Sequence, residues 1–286
     1  MTEKIAIETT KLEHVYSGRV RALRGVDLQI RSGEFLAIIG QNGSGKTTLT
    51  KHFNGLLKPT TGDVIVNGIN TKRASIAQLA KNVGYVFQNP DHQLCTRTVQ
   101  EELSFGPKNL GVDPAEIKGR VDDIIRAFDL ERYRQTHPFL LGRADRLRVA
   151  VCSILTMEPE IVVVDEPTTG QDMRQSYELM EILKRLNEQG RTIVFITHNM
   201  RLVAEYARRT VVMRQGSIVM DDRTAAVFSH PDVLADTFLS PPQITQLAQR
   251  LGGFGIPPGV LSVKEMDSAM DKLIKGAGTA AALPSD

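Results

Sequence analysis

Eight consecutive residues, Gly40-Gln41-Asn42-Gly43-Ser44-Gly45-Lys46-Thr47, have the types and spacing of a phosphate-binding loop. Glycines let the backbone curl until several N–H groups point inward at one phosphate chain. A helix starting near Lys46 adds the positive end of its dipole, and the Lys46 ammonium can reach the terminal phosphates. Thr47 offers a hydroxyl to Mg2+, with Thr48 following on the same turn. A glycine-rich strand-to-helix turn of purely structural origin would give no reason to place lysine and threonine in this register. The pattern predicts a nucleoside triphosphate and its magnesium ion.

The second half of such a site is an acid at the end of a neighbouring strand, and Ile161-Val162-Val163-Val164-Asp165-Glu166 supplies it. Four apolar residues carry Asp165 to the carboxyl end of a buried strand, where it can hold magnesium through its water shell. Glu166 is placed to polarise an attacking water as a general base. Alone, this pair would read equally well as an exposed acidic turn; beside the phosphate loop it completes a site.

Elements of two kinds must position these groups. Apolar runs at residues 5–9, 25–30, 35–39 and 64–66, with turn residues at Arg31-Ser32-Gly33, Gly62-Asp63 and Asn67-Gly68, predict strands and a hairpin. Residues 98–157 read as helical, with Pro107 and Pro138 expected to break the helices and Asp113-Pro114 to start one. Strand-helix-strand alternation returns over 161–197, predicting a parallel sheet covered on both faces. A closing hairpin is expected around Gln215-Gly216. A helical tail follows from Pro231, jointed at Pro241-Pro242 and Pro257-Pro258, with roughly the last ten residues disordered. Ile244, Leu247, Ala248 and Leu251 form an apolar stripe at helical spacing.

Composition narrows the class. The chain has 286 residues, 41% hydrophobic and 24% charged, which is ordinary for a globular protein. Thirty-five basic against 33 acidic residues leave +2, too even for a nucleic-acid binder. Cys95 and Cys152 lie far apart in no metal-ligand spacing. The apolar runs are strand-sized, and Met1-Thr2-Glu3-Lys4 lacks a signal-peptide pattern, so any membrane role is expected to come through partners.

The order phosphate loop, Gln88, Asp165-Glu166, Asp172, His198 resembles an ABC-type nucleotide-binding domain over residues 4 to about 230. That resemblance implies an α/β P-loop NTPase fold with an antiparallel β layer, a helical subdomain at about 90–160 and a C-terminal helical extension over 231–286. It implies ATP and Mg2+ as ligands. Gln88 would touch magnesium and the attacking water, His198 the γ-phosphate, and Tyr16 would stack on adenine. Gly170-Gln171-Asp172 would be the loop before the next helix, with glutamine where leucine is usual.

Residues 86–94, Val-Phe-Gln-Asn-Pro-Asp-His-Gln-Leu, and 105–110, Phe-Gly-Pro-Lys-Asn-Leu, are more narrowly similar to the ATPase subunits of energy-coupling factor transporters, which import vitamins and transition-metal ions. The tail segment 241–248 is similar to that family's C-terminal extension, implicated in dimer contacts. The implied setting is peripheral, on the cytoplasmic face of the membrane. The implied partners are a second ABC ATPase subunit, a transmembrane coupling subunit and a substrate-binding membrane subunit, with no nucleic acid.

One segment departs from the family. Where leucine-serine-glycine-glycine-glutamine is expected, the chain reads Leu141-Gly142-Arg143-Ala144-Asp145, so the serine that would donate to a partner's γ-phosphate is Gly142, a glycine that permits close backbone approach is Ala144, and Leu147 stands where a glutamine is common. A lost hydrogen bond to a charged phosphate is worth about 1.5–3 kcal/mol. Such a chain is expected to favour a paralogue with an intact signature as its partner. Two other readings fit the same residues, a soluble ABC ATPase not coupled to transport and an ATP-binding regulatory subunit with little turnover.

Overall fold

The computed structural model describes residues 4–166 and 172–280. Strands β1 (Ile5–Tyr16) and β2 (Val20–Arg31) pair antiparallel, each running well past the β-branched stretch that marks it in sequence. The pairing itself carries the polar residues of both strands into the ladder. β3 (Phe35–Ile39) leads through the glycine-rich loop into α1 (Lys46–Phe53). β4 (Thr61–Val66) and β5 (Ile69–Asn70) form the expected hairpin, with Asn67 and Gly68 both at positive φ. Helix α2 (Ile76–Ala80) starts on a capping box between Ser75 and Gln78 and precedes β6 (Val83–Val86).

Three helices follow: α3 (Val99–Asn109), α4 (Pro114–Ala127) and α5 (Arg143–Leu155). Asp113 caps α4 as its sequence indicates, accepting from the N–H of Ala115. Pro107, however, does not break α3; it lies inside the helix. Proline there deprives the Leu103 carbonyl of its intrahelical donor. The buried Thr156 hydroxyl, just past the end of α5, donates to that carbonyl at 2.8 Å. The Thr156 carbonyl in turn accepts from Arg120 of α4 at 3.1 Å, so the three helices meet at one residue. Pro138 opens a short 3-10 turn, as a proline at a first helical position can.

The remaining elements are β7 (Ile161–Asp165), α6 (Met173–Glu188), β8 (Thr192–Ile196), α7 (Met200–Tyr206), β9 (Arg209–Arg214), β10 (Ser217–Arg223) and α8 (Thr224–Phe228), then α9 (Pro231–Asp236), α10 (Gln243–Arg250) and α11 (Val263–Ala280). The main sheet has the order β10-β9-β3-β8-β7-β6, parallel except for the β9–β10 hairpin, and a second sheet, β2-β1-β4-β5, is antiparallel. Alternation along β3 sends Leu36 and Ile38 into one core, shared with α1 and the antiparallel layer. Phe35, Ala37 and Ile39 enter a second core under α5, α6 and α7. Leu94, Val99, Leu103, Val121, Ile125 and Val149 build a third among the helices.

The extension has a small core of its own, Ala248, Ile256, Val260 and Met266, against which Ile244 and Leu251 pack. Leu247, of the same stripe, lies outside that core and is 44% exposed. Helix α11 runs to Ala280, and residues 281–286, most of the end expected to be disordered, lie outside the described part. No described helix is long and apolar enough to cross a membrane.

Candidate nucleotide site

The sheet order brings four strand ends together. In an open parallel sheet, ligands bind beyond the carboxyl ends of the strands. Here β3 ends in the phosphate loop, β8 leads to His198, β7 ends at Asp165-Glu166 and β6 leads to Gln88, in that spatial order.

Two glycines fix the loop's shape. Gly40 has φ +148, and a Cβ there would sit 2.3 Å from the Met213 carbonyl oxygen. Gly45, the residue before α1, has φ +103, and its Cβ would meet the Ala22 carbonyl at 2.8 Å. Gly45 brings no side chain to cap α1, so among the described residues its first-turn N–H groups keep the unpaired state that favours an anion. Gln41, Asn42 and Gly43 form the outer curve, and the Ser44 Oγ beneath it is buried without a hydrogen-bond partner among the described residues. A cradle of bare donors with a spare buried hydroxyl suits a phosphate chain.

Lys46 is 5% exposed, its ammonium donating to the carbonyls of Gly40 at 2.7 Å and Gln41 at 2.9 Å. Burial lowers its pKa from the usual lysine value, while Glu166 and Asp165 pull the other way. Thr47 donates to Asp165 Oδ1 at 3.1 Å. Burial raises the Asp165 carboxyl, partly offset by hydrogen bonds from Thr47 and Tyr85. Glu166 sits at φ +48, a conformation unusual for a side-chain-bearing residue, with its N–H bonded to the Ile196 carbonyl at 2.9 Å. Its carboxylate accepts from His198 Nε2 at 2.7 Å and from Gln88 Nε2 at 2.9 Å. An ionised carboxylate only accepts, so the His198 proton lies on Nε2, and the Gln88 amide oxygen has no hydrogen-bond partner among the described residues.

Tyr16, at the end of β1, is 38% exposed, its hydroxyl 3.2 Å from Thr48 Oγ1. Behind it lie two histidines that the sequence did not single out. The His14 ring meets Tyr16 edge-on at 4.5 Å, and His14 Nδ1 lies 3.2 Å from His52 Nε2. His52 is fully buried and donates from Nδ1 to the Thr48 carbonyl at 2.7 Å. With that nitrogen donating, Nε2 accepts, and His14 must be the donor between the rings. Burial lowers the His52 pKa to about 4. Tyr85 was missed too: its buried hydroxyl donates to Asp165 Oδ2 at 3.0 Å, and burial pushes the phenol far above its usual value. The only sequence signal was an aromatic residue with a polar tip inside an otherwise apolar strand.

Among the described residues no three His, Cys, Asp or Glu side chains gather as a metal site. The Thr47 hydroxyl, the Asp165 carboxylate and the Gln88 amide oxygen are instead hard oxygen donors of the kind Mg2+ takes alongside substrate phosphates. Of the loop Gly170-Gln171-Asp172, the first two residues lie outside the described part; Asp172 caps α6, accepting from the Gln175 N–H at 2.8 Å.

The end of α5 is built differently. Gly142 is its N-cap and makes no capping bond, and a Cβ at Gly142 would meet nothing within 4 Å. Asp145 in the first turn accepts from the Tyr133 hydroxyl at 3.1 Å and lies 3.5 Å from Arg148.

Fold and strand-end site together define an ATP-binding cassette, and residues 23–169 match the ABC transporter family. The chain belongs to the ABC transporter family. Within it, the chain is similar to energy-coupling factor transporter ATP-binding proteins. EcfA2 of Clostridium perfringens is 36% identical over 282 residues, covering 95% of this chain and 99% of the relative. A putative ABC transporter ATP-binding protein of Caldanaerobacter subterraneus subsp. tengcongensis is 47% identical over 92% of this chain, which spans 46% of that longer relative. Among solved structures, cbiO1 of Clostridium perfringens, part of the ABC transporter complex cbiONQ, matches with a TM-score of 0.73 at 33% identity, over 86% of this chain and all of that one.

Proposed function

We propose that this chain is the ATP-binding and ATP-hydrolysing motor subunit of an energy-coupling factor type importer for a vitamin or a transition-metal ion. The observation that carries the reading is the Glu166 carboxylate, gripped by His198 and Gln88 from two different strand ends beside the phosphate loop. In this role Lys46 and the α1 N–H groups bind the phosphates, and Tyr16 stacks on the adenine. Thr47, Asp165 and Gln88 hold Mg2+, which when bound offsets the charge of the phosphate oxygens. Glu166 takes a proton from the attacking water. His198 and Gln88 aim that carboxylate before nucleotide arrives, so little reorganisation is left for the chemical step.

The working unit is a dimer with a paralogous ABC subunit of intact signature. The chain sits at the cytoplasmic face of the membrane, held by the transmembrane coupling subunit and, through it, the substrate-binding membrane subunit. The uncapped Gly142 end of α5 supports an asymmetric pair, in which the site closed by that end holds ATP longer than it hydrolyses it. The test compares ATP turnover of the chain alone with turnover in complex with co-encoded ABC and membrane subunits. Turnover that rises in the complex and disappears with Glu166→Gln is the expected result. Absence of turnover in every assembly would make the chain a nucleotide-binding regulator instead.

A further inference from the structure

We propose that Tyr85 is the positioning residue for Asp165: its hydroxyl holds one carboxylate oxygen inward so that the other faces the metal side of the site. The inference rests on the reading of Asp165 as a magnesium-side carboxylate.

Strand β6 runs parallel to β7 with Tyr85 opposite Val163, so the Tyr85 side chain shares a sheet face with Asp165 two residues further on. The ring is 4% exposed and packs on Phe87 with centroids 5.1 Å apart, which leaves its hydroxyl little freedom. That hydroxyl lies 3.0 Å from Asp165 Oδ2 and 3.1 Å from Thr50 Oγ1. Proton counting orients the chain of contacts. An ionised carboxylate can only accept, so the single Tyr85 proton points at Oδ2. The Thr50 hydroxyl is therefore the donor to Tyr85; its other acceptors, the Lys46 and Thr47 carbonyls, are both longer at 3.3 Å.

Helix α1 thus reaches Asp165 by two routes. Thr47 touches Oδ1 directly, at 3.1 Å, and Thr50, one turn later, touches Oδ2 through Tyr85. Thr47 and Oδ1 are themselves oxygen donors for an ion, whereas Tyr85 and Oδ2 lie behind them in the core. Tyr85 therefore fixes the plane of the carboxylate whatever Oδ1 binds. Such supporting partners of a metal carboxylate are commonly worth 10–100-fold in metal affinity.

Tyr85→Phe removes one oxygen from a packed ring and tests this in the full-length protein. The reading is binding of a fluorescent ATP analogue, titrated with Mg2+ and repeated in EDTA. The expected result is a half-saturating Mg2+ concentration raised about 10–100-fold, with affinity in EDTA unchanged. Thr50→Val, one bond further from the carboxylate, should shift the Mg2+ curve the same way by less, and it decides the matter if Tyr85→Phe fails to fold. Equal losses with Mg2+ and in EDTA would mean that Tyr85 is only a packing residue and would overturn the proposal. Asp165→Asn is the control on the reading beneath it: if that change leaves the Mg2+ curve in place, Asp165 does not serve the ion, and the role of Tyr85 falls with it.

Discussion

The N-termini of α1 and α5 are both uncapped helix ends, yet their surroundings are opposite. Around α1 polar side chains beside the loop are already engaged, Lys46 with two carbonyls, Thr47 with Asp165, and Glu166 with His198 and Gln88, which leaves the Ser44 hydroxyl spare among the described residues. Around α5, Gly142 brings no side chain, and the one acid of the first turn, Asp145, offers negative charge to the end of the helix that would attract an anion. The contrast separates two physical tasks. Groups that act on a phosphate at the chain's own loop gain from being fixed beforehand, because ordering them later would cost free energy at the moment of reaction. On the proposed function the α5 end would close over another chain's nucleotide, and such a surface can lose a donor and still bind, at a cost of about 1.5–3 kcal/mol.

The largest effect expected is on the committed side. Glu166→Gln in the assembled complex should lower steady-state ATP hydrolysis by about 100-fold or more, the usual range for losing a general base, while nucleotide binding survives. Normal hydrolysis by that variant would remove the difference between the two helix ends at its source.

The next concerns the support beneath α1. His52 has a folded pKa of about 4, below its ordinary 6.5. Protons therefore bind the unfolded chain first, so stability that is full above pH ~6.5 is lost as pH falls towards 4, by about 3 kcal/mol. The raised Asp165 carboxyl works in the opposite sense, since the folded form holds that proton more tightly and gains as pH falls. Denaturant unfolding at pH 7 and pH 4 measures the sum. His52→Gln should flatten the histidine part of the slope, and an unchanged slope in that variant would mean the ring pair bears no such load.

On the α5 side, Gly142→Ser with Ala144→Gly should raise homodimeric ATPase activity about tenfold, matching one regained bond to a charged group. The Gly142 backbone is already extended, at φ −61 and ψ 158, with open space where the serine side chain would go. A restored chain that hydrolyses no faster at saturating ATP would show that the signature does not limit turnover. Asp145→Gln should add less, about two- to fivefold, the worth of one charge near a helix end. The smallest effect is on stability: exchanging glycine for serine at this N-cap should change unfolding free energy by only a few tenths of a kcal/mol.

The same contrast explains what the sequence made legible. The phosphate loop, Asp165-Glu166, Gln88 and His198 each lie at or just beyond the end of an apolar run, so local chain order is enough to place them. Helix α6 lies within the strand-helix-strand alternation expected over 161–197, and its start at Met173 is fixed locally by the Asp172 cap. Tyr85 and Asp165 are 80 residues apart, and His14 and His52 are 38 apart; nothing local in either segment reports the meeting. Leu247 stays exposed for a related reason: helical spacing names a face, but the packing at Ile256, Val260 and Met266 selects which part of it is covered within this chain.

Pro107 takes this furthest. Its helix is completed by a hydroxyl 49 residues away in sequence from the proline, because Thr156 supplies the donor that the proline lacks to the Leu103 carbonyl. The last turns of α3 and the end of α5 therefore cannot open one at a time without stranding a buried acceptor. They should behave as a single cooperative unit, with backbone amides in both segments exchanging at one common free energy, whatever their separate helix propensities. A residue that ordinarily marks where a helix stops here ties the fate of two helices together.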